Sequence, residues 1–173
     1  MDLGGMAEGD PVTADRVPSR VDADGRGGLT YRGSRYLLVR PETLVALQKA
    51  VEAALGERAP ACLVAGGRAG GGAALQTLAG SPEETVARLL AMGGEIGWGA
   101  FALERLGPDE LVVTVRNSPF ARAYGVAVTP VCHLTRGVLE RLAELALGAS
   151  AVATETACAA TGAPACRFVA RLR

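Results

Sequence analysis

Near its end the chain reads Glu155-Thr156-Ala157-Cys158-Ala159-Ala160-Thr161-Gly162-Ala163-Pro164-Ala165-Cys166-Arg167-Phe168, a turn with a cysteine on either side. In the run that follows, Cys166, Phe168, Ala170 and Leu172 alternate with Arg167, Val169, Arg171 and Arg173, the period-two pattern of a strand with one buried face. Two strands at about 149–157 and 165–172 are expected to pair as an antiparallel hairpin, which brings Cys158 and Cys166 together. Just upstream, Thr129-Pro130 opens a predicted helix with Leu134, Val138, Leu142 and Leu145 on one face and Gly148 as its stop. Cys132 falls in the first turn of that helix.

A helix start, a strand and a second strand thus each supply one thiol. Unsatisfied N–H groups at a helix N-terminus favour the thiolate, the form that ligates metal, so Cys132 is well prepared for that role. Three soft sulfurs suit Zn²⁺, which takes four ligands in a tetrahedron. Plain burial also accounts for three cysteines without C-x-x-C spacing, and both readings stay open on spacing alone. Cys62 lies in an apolar segment and reads as core. A nucleophilic Cys132 served by His133 is disfavoured, because adjacent helical residues point about 100° apart.

Working back toward the N-terminus, Glu110–Val115 and Ile96–Glu104 read as strands split by the turn residues Gly107-Pro108-Asp109. Ser81-Pro82-Glu83-Glu84 is a capping box opening a helix to about residue 92. The segment Ala61 to Leu78 is rich in glycine but fits neither G-x-G-x-x-G nor G-K-[ST], so it reads as a helix that admits a close neighbour, with a Gly-rich break within it. A further helix is expected over 41–55, with Leu44, Leu47, Val51 and Leu55 facing the core, preceded by a short strand at Tyr36–Val39. The order predicts an α+β fold in which antiparallel hairpins form a sheet with four or so helices packed on one face.

Composition narrows the function. Eighteen basic and eighteen acidic residues cancel, so the chain has no electrostatic footprint for nucleic acid. No apolar run approaches the roughly 20 residues of a membrane span, and the start of the chain lacks a signal-peptide pattern, so a cytoplasmic protein is expected. Residues 1–28 read as a disordered tail and 29–173 as one small-molecule-binding domain. Trp98, Phe101, Phe120 and Tyr124 are four of only seven aromatic residues and cluster in one stretch. They serve equally as core filler or as flat walls around a planar ligand, with Gly94, Gly97 and Gly99 leaving it room.

Thr129-Pro130-Val131-Cys132, the quoted run from Glu155 to Phe168, and Val115-Arg116-Asn117-Ser118 together resemble the closing half of the 4-vinyl reductase, or hydrocarbon-binding, domain. The resemblance implies a fold shared with vesicle-tethering TRAPP subunits, an apolar pocket between helices and sheet, and a homodimer. In aromatic sensors of that family three cysteines and a glutamate bind zinc. The cysteines carry over onto Cys132, Cys158 and Cys166, whereas the glutamate falls on Arg116, which leaves Glu155, a water or a displaced side chain as fourth ligand. A His and a Trp that read phenol in those sensors are replaced near Glu110 and Val115, so phenol is not the expected ligand. The resemblance implies a standalone sensor or carrier for a hydrophobic, aromatic or tetrapyrrole-like molecule, with structural zinc. The alternatives are a vinyl-group reductase of bacteriochlorophyll biosynthesis or its accessory subunit, and a regulatory subunit acting through a protein partner. A reductase would need a hydride donor, and the chain carries no dinucleotide fingerprint.

Overall fold

The computed structural model describes residues 21–75 and 80–173, which fall into two compact units with the boundary after Leu37. In the first, β1 (Val21–Ala23), β2 (Leu29–Tyr31) and β3 (Ser34–Tyr36) form an antiparallel meander. Asp24 Oδ1 accepts the N–H groups of Arg26 and Gly28 and closes the first turn. Tyr31 and Tyr36 meet edge to face at 5.7 Å. The tail expected over 1–28 lies outside the described residues as far as residue 20, but Val21–Ala23 is already strand. The strand expected at 36–39 instead ends at Tyr36, because its partner β2 begins at Leu29, directly opposite.

The second unit is an α+β structure. Its sheet has the order β4-β5-β7-β6 and is antiparallel throughout, with β4 at Ala100–Leu106, β5 at Glu110–Arg116, β6 at Ala151–Ala157 and β7 at Cys166–Leu172. Alternation sorts the strands into two faces. Leu111, Val113 and Val115 of β5, Phe168 and Ala170 of β7 and Ala151 and Ala153 of β6 enter one core with Val86, Leu89 and Leu90 of α3 (Pro82–Glu95), Phe120 of α4 (Pro119–Tyr124) and Leu139 and Leu142 of α5 (His133–Leu147). The opposite face is polar, and Glu104 accepts from Thr114 and from Arg167 across three strands. Helices therefore pack on one face of the sheet, as the pattern of elements predicts. A register shift between Glu155 and Ala157 leaves Thr156 as one extra residue in β6.

Residues Ile96 to Gly99 form the turn out of α3 and do not belong to the strand expected there. A Cβ at Gly99 would stand 2.8 Å from the Arg116 carbonyl oxygen, so this glycine lets the turn pass β5 and does not leave room for a ligand. The expected capping box is complete: Ser81 Oγ accepts from Glu84 N at 3.2 Å and the Glu84 carboxylate accepts from Ser81 N at 3.3 Å.

Two more helices complete the unit. In α1 (Pro41–Leu55) the buried residues are Val45 and Gln48, whereas Leu47 is 62% exposed. At 100° per residue Leu47 lies well off the line through Gln48, so the expected stripe holds only for its flanks. The glycine-rich segment is helical: α2 runs from Ala59 to Leu75, and residues 76–78 of the expected helix lie outside the described residues. The expected break is absent from Ala59 to Leu75. A Cβ on Gly67 would run into the Leu134 carbonyl, and one on Gly137 into the Val64 carbonyl, so α2 and α5 cross with their backbones in contact. Packing on both sides buries His133, Thr135, Gly137, Leu139, Glu140, Leu142 and Ala143 in α5, and Leu145 is left exposed, contrary to the expected stripe. Cys62 points outward, one position from the Leu63–Val64 face that packs inward, which corrects its reading as core.

Candidate metal centre

Three elements converge beneath the start of α5. Cys132 is the N-cap residue of this helix, one position before its first turn, and its carbonyl accepts from Arg136 N. Cys166 opens β7, and Cys158 follows β6 at the start of a short 3-10 turn over Ala159–Thr161. All three are buried. Glu155 reaches the same point from β6, and one oxygen of its carboxylate and the three sulfurs lie within 4.8 Å of one another. The sequence-derived cysteines are thus brought together, and of the alternatives for a fourth donor the structure selects Glu155, while Arg116 is exposed at the end of β5.

The spacing fits a tetrahedral ion. Ligands at about 2.3 Å from a common centre stand about 3.7 Å apart along each tetrahedral edge, and Cys132 Sγ and Cys166 Sγ are separated by 3.7 Å. Glu155 is held by one oxygen only: Oε2 accepts from Cys132 N at 2.9 Å, whereas Oε1 is buried without a hydrogen-bond partner. A buried, unpartnered carboxylate oxygen is costly and is relieved by a cation. Ser118 Oγ touches Cys132 Sγ at 3.5 Å, and Ala159 N donates to Cys166 Sγ at 3.3 Å.

Charge in the cluster is tightly coupled. Burial, and secondarily the Cys158 sulfur beside it, push the Glu155 carboxyl up to about 7. Cys158 is pulled far down, because the thiols of Cys132 and then Cys166 donate to its sulfur. Cys132 is pushed far up by the same two sulfurs and by burial. Cys166 is drawn down by Cys132, but Cys158 and burial outweigh this and raise it to about 12. One thiolate therefore sits among two thiols and a reluctant carboxyl, a donor set that could hold one metal cation.

The four aromatic residues do not enclose a common chamber in the described residues. Trp98 and Phe120 pack edge to face at 5.0 Å against the core, and Phe101 abuts Gly93. Tyr124 turns to α1, donating to Glu52 Oε2 at 2.7 Å beneath the Lys49 ammonium. Two open clefts of about 450 and 480 Å³ share Asn117 and Arg122, and neither is lined by those aromatics. Sequence reasoning missed α4, although Ser118-Pro119 repeats the Ser-Pro start of α3, and Ser118 Oγ accepts from Ala121 N. Ser118 was consequently missed as a neighbour of the Cys132 sulfur.

Comparison with known proteins places this geometry. Residues 111–172, which include all four donors, match the 4-vinyl reductase domain. No curated protein matches the chain. Among solved structures, the phenol-responsive sensory domain of the transcription activator PoxR, with phenol, superimposes with a TM-score of 0.77 at 20% identity, covering 88% of this chain and 85% of that one. A vinyl-4-reductase family protein from Methanocaldococcus jannaschii gives 0.55 at 16% identity over 80% of this chain and 83% of that one. Subunit 3 of a trafficking protein particle complex from Naegleria fowleri, covalently bound to palmitic acid, gives 0.55 at 10% identity over 77% and 95%. Among the described residues no helix is long and apolar enough to cross a membrane. Residues 111–172 thus belong to the 4-vinyl reductase domain family, within a fold shared with the PoxR sensory domain and the trafficking-complex subunit.

Proposed function

We propose that the chain is a small-molecule-binding module of the sensory type, braced by a structural zinc ion on Cys132, Glu155, Cys158 and Cys166. The observation that carries the zinc is the unpartnered Glu155 Oε1 facing three converging sulfurs. Four protein donors make a closed site, the structural form, whereas catalytic zinc keeps an open position. This favours a binder over a vinyl reductase. The ion would tie the start of α5 to the final hairpin, so that the wall of the core moves as one piece. For the ligand, support comes from the fold shared with a phenol-bound sensory domain and from the apolar space between α3, α4, α5 and the sheet, where Trp98 and Phe120 lie. A compact apolar or aromatic molecule is the expected occupant, and a flat tetrapyrrole-like one requires the helices to part.

Metal analysis of reduced, freshly purified protein tests the first half: one zinc per chain is expected, and metal-free protein of unchanged stability overturns it. Trp98 is the sole tryptophan, so its fluorescence tests the second half. An aromatic hydrocarbon or tetrapyrrole is expected to shift both its emission and the melting temperature. A broad panel that moves neither overturns the binding role.

A further inference from the structure

We propose that the outward faces of α1 and α2 form the surface on which a second copy of this chain docks. Between Pro41 and Gly71 the chain carries only six charged residues, and those in the helices are diverted from these faces. Glu42 pairs with Arg40 before the helix. Lys49 hooks onto the carbonyl and ring of Tyr124 in α4. Glu52 accepts from Gln48 and Tyr124. Arg68 reaches Glu140 and Glu144 in α5. Glu57 and Arg58 lie in the short turn between the helices.

What remains outside is small and uncharged. Ala46, Leu47 and Ala50 on α1 and Cys62, Ala65 and Ala69 on α2 are all exposed. Their three-and-four spacing is the seam pattern of helix-to-helix packing, and small side chains let a partner helix come close. Other exposed surfaces of this unit are dressed differently. The start of α3 shows Glu83, Glu84 and Arg88, and the outer face of the sheet shows Glu104, Arg105 and Arg171.

The absence of charge argues for a second copy over an unlike partner. A two-fold interface sets each patch against itself, so every charge on it meets its own like, and a patch cleared of charge is the self-complementary case. A standard interface uses about 20–30 residues a side. The two helix faces present about half of that, which sets the expectation at a dimer with a Kd in the micromolar range.

Sedimentation and light scattering of the full chain, reduced and metal-replete, across about 1–200 μM test this. A monomer–dimer equilibrium is expected, and Ala50→Arg or Ala65→Arg should weaken it at least tenfold with unchanged circular dichroism and melting of the monomer. Ala87→Arg on α3, an exposed alanine outside the face, should leave it intact. A wild-type monomer at every concentration overturns the proposal, as does a dimer indifferent to both arginine variants. Should either variant misfold, Ala50→Gln and Ala65→Gln provide the same reading with a milder change.

Discussion

Glu140 and Glu155 are buried to nearly the same degree, at 5% and 6% exposure, yet their surroundings differ in kind. Both oxygens of Glu140 are used: Oε1 accepts from Ala153 N at 3.1 Å, and Oε2 accepts from the Arg68 guanidinium at 3.2 Å. Arg68 in turn reaches Glu144, so helix α2, helix α5 and the edge of β6 are joined by a satisfied network with its own cation. Glu155 has one oxygen on Cys132 N, the other on nothing, and sulfurs where Glu140 has a guanidinium. A buried carboxylate with its counter-charge built in is structural glue, whereas one without it marks a place where the chain expects a cation from outside.

The largest test of this contrast is to remove the cation. Chelation, or Cys158→Ser, is expected to destabilise the protein by about 5 kcal/mol or more, since metal binding free energy at a structural site is folding free energy. Thermal unfolding with and without chelator measures this, and coincident curves would falsify a structural metal. Next, Arg68→Met should turn Glu140 into a second unpartnered carboxylate. The cost is expected at about 1–3 kcal/mol by urea unfolding, below that of a fully buried pair because Arg68 remains a third exposed. If the variant is as stable as the parent, the satisfied network is ornamental.

The pH dependence separates the two sites further. In metal-free protein Glu155 titrates near 7 when folded, above its ordinary 4.5. Below 4.5 the carboxyl is neutral in both states and carries no penalty. As pH rises from there to about 7 the unfolded chain ionises first, so stability falls, by about 2–3 kcal/mol in all. Zinc affinity runs the other way, because the metal competes with protons for the same donors. Glu155→Gln should abolish this carboxyl's share of the slope in chelated protein. The smallest expected effect belongs to the same variant at neutral pH: chelated Glu155→Gln should gain about 1 kcal/mol over chelated parent, while binding zinc about 10–100-fold more weakly. A loss of stability without metal would show that the carboxylate is already satisfied.

Much of this was legible in the residues. The final hairpin, the helix before it and the capping box at Ser81 follow from alternation, from periodicity and from Ser-Pro-Glu-Glu chemistry, all local signals that the fold keeps. The cysteines pointed to one another because a hairpin leaves few other arrangements. What could not be read was which side of a helix another element would cover. Leu47 and Leu145 are apolar and periodic, but α1 and α5 turn other sides inward, because the tight crossing of Gly67 with Leu134 and Gly137 with Val64 sets the facing of α5 on α2. The inward place of Glu155 was available in principle, since Ala151, Ala153 and Glu155 fall on one face of the Ala-Val-Ala-Thr-Glu strand.

The extra residue in β6 has a consequence for counting. In an unbroken strand, positions an odd number apart look in opposite directions, so Glu155 and Cys158 would be divided between solvent and interior. Thr156 adds one step without advancing the pairing, since Glu155 faces Phe168 and Ala157 faces Arg167. Odd separation is thereby converted into agreement. A deletion of Thr156 would leave the ladder more regular and the ion one donor short, and a shift of any single residue in this arm would be felt as a change of parity before it was felt as a change of length.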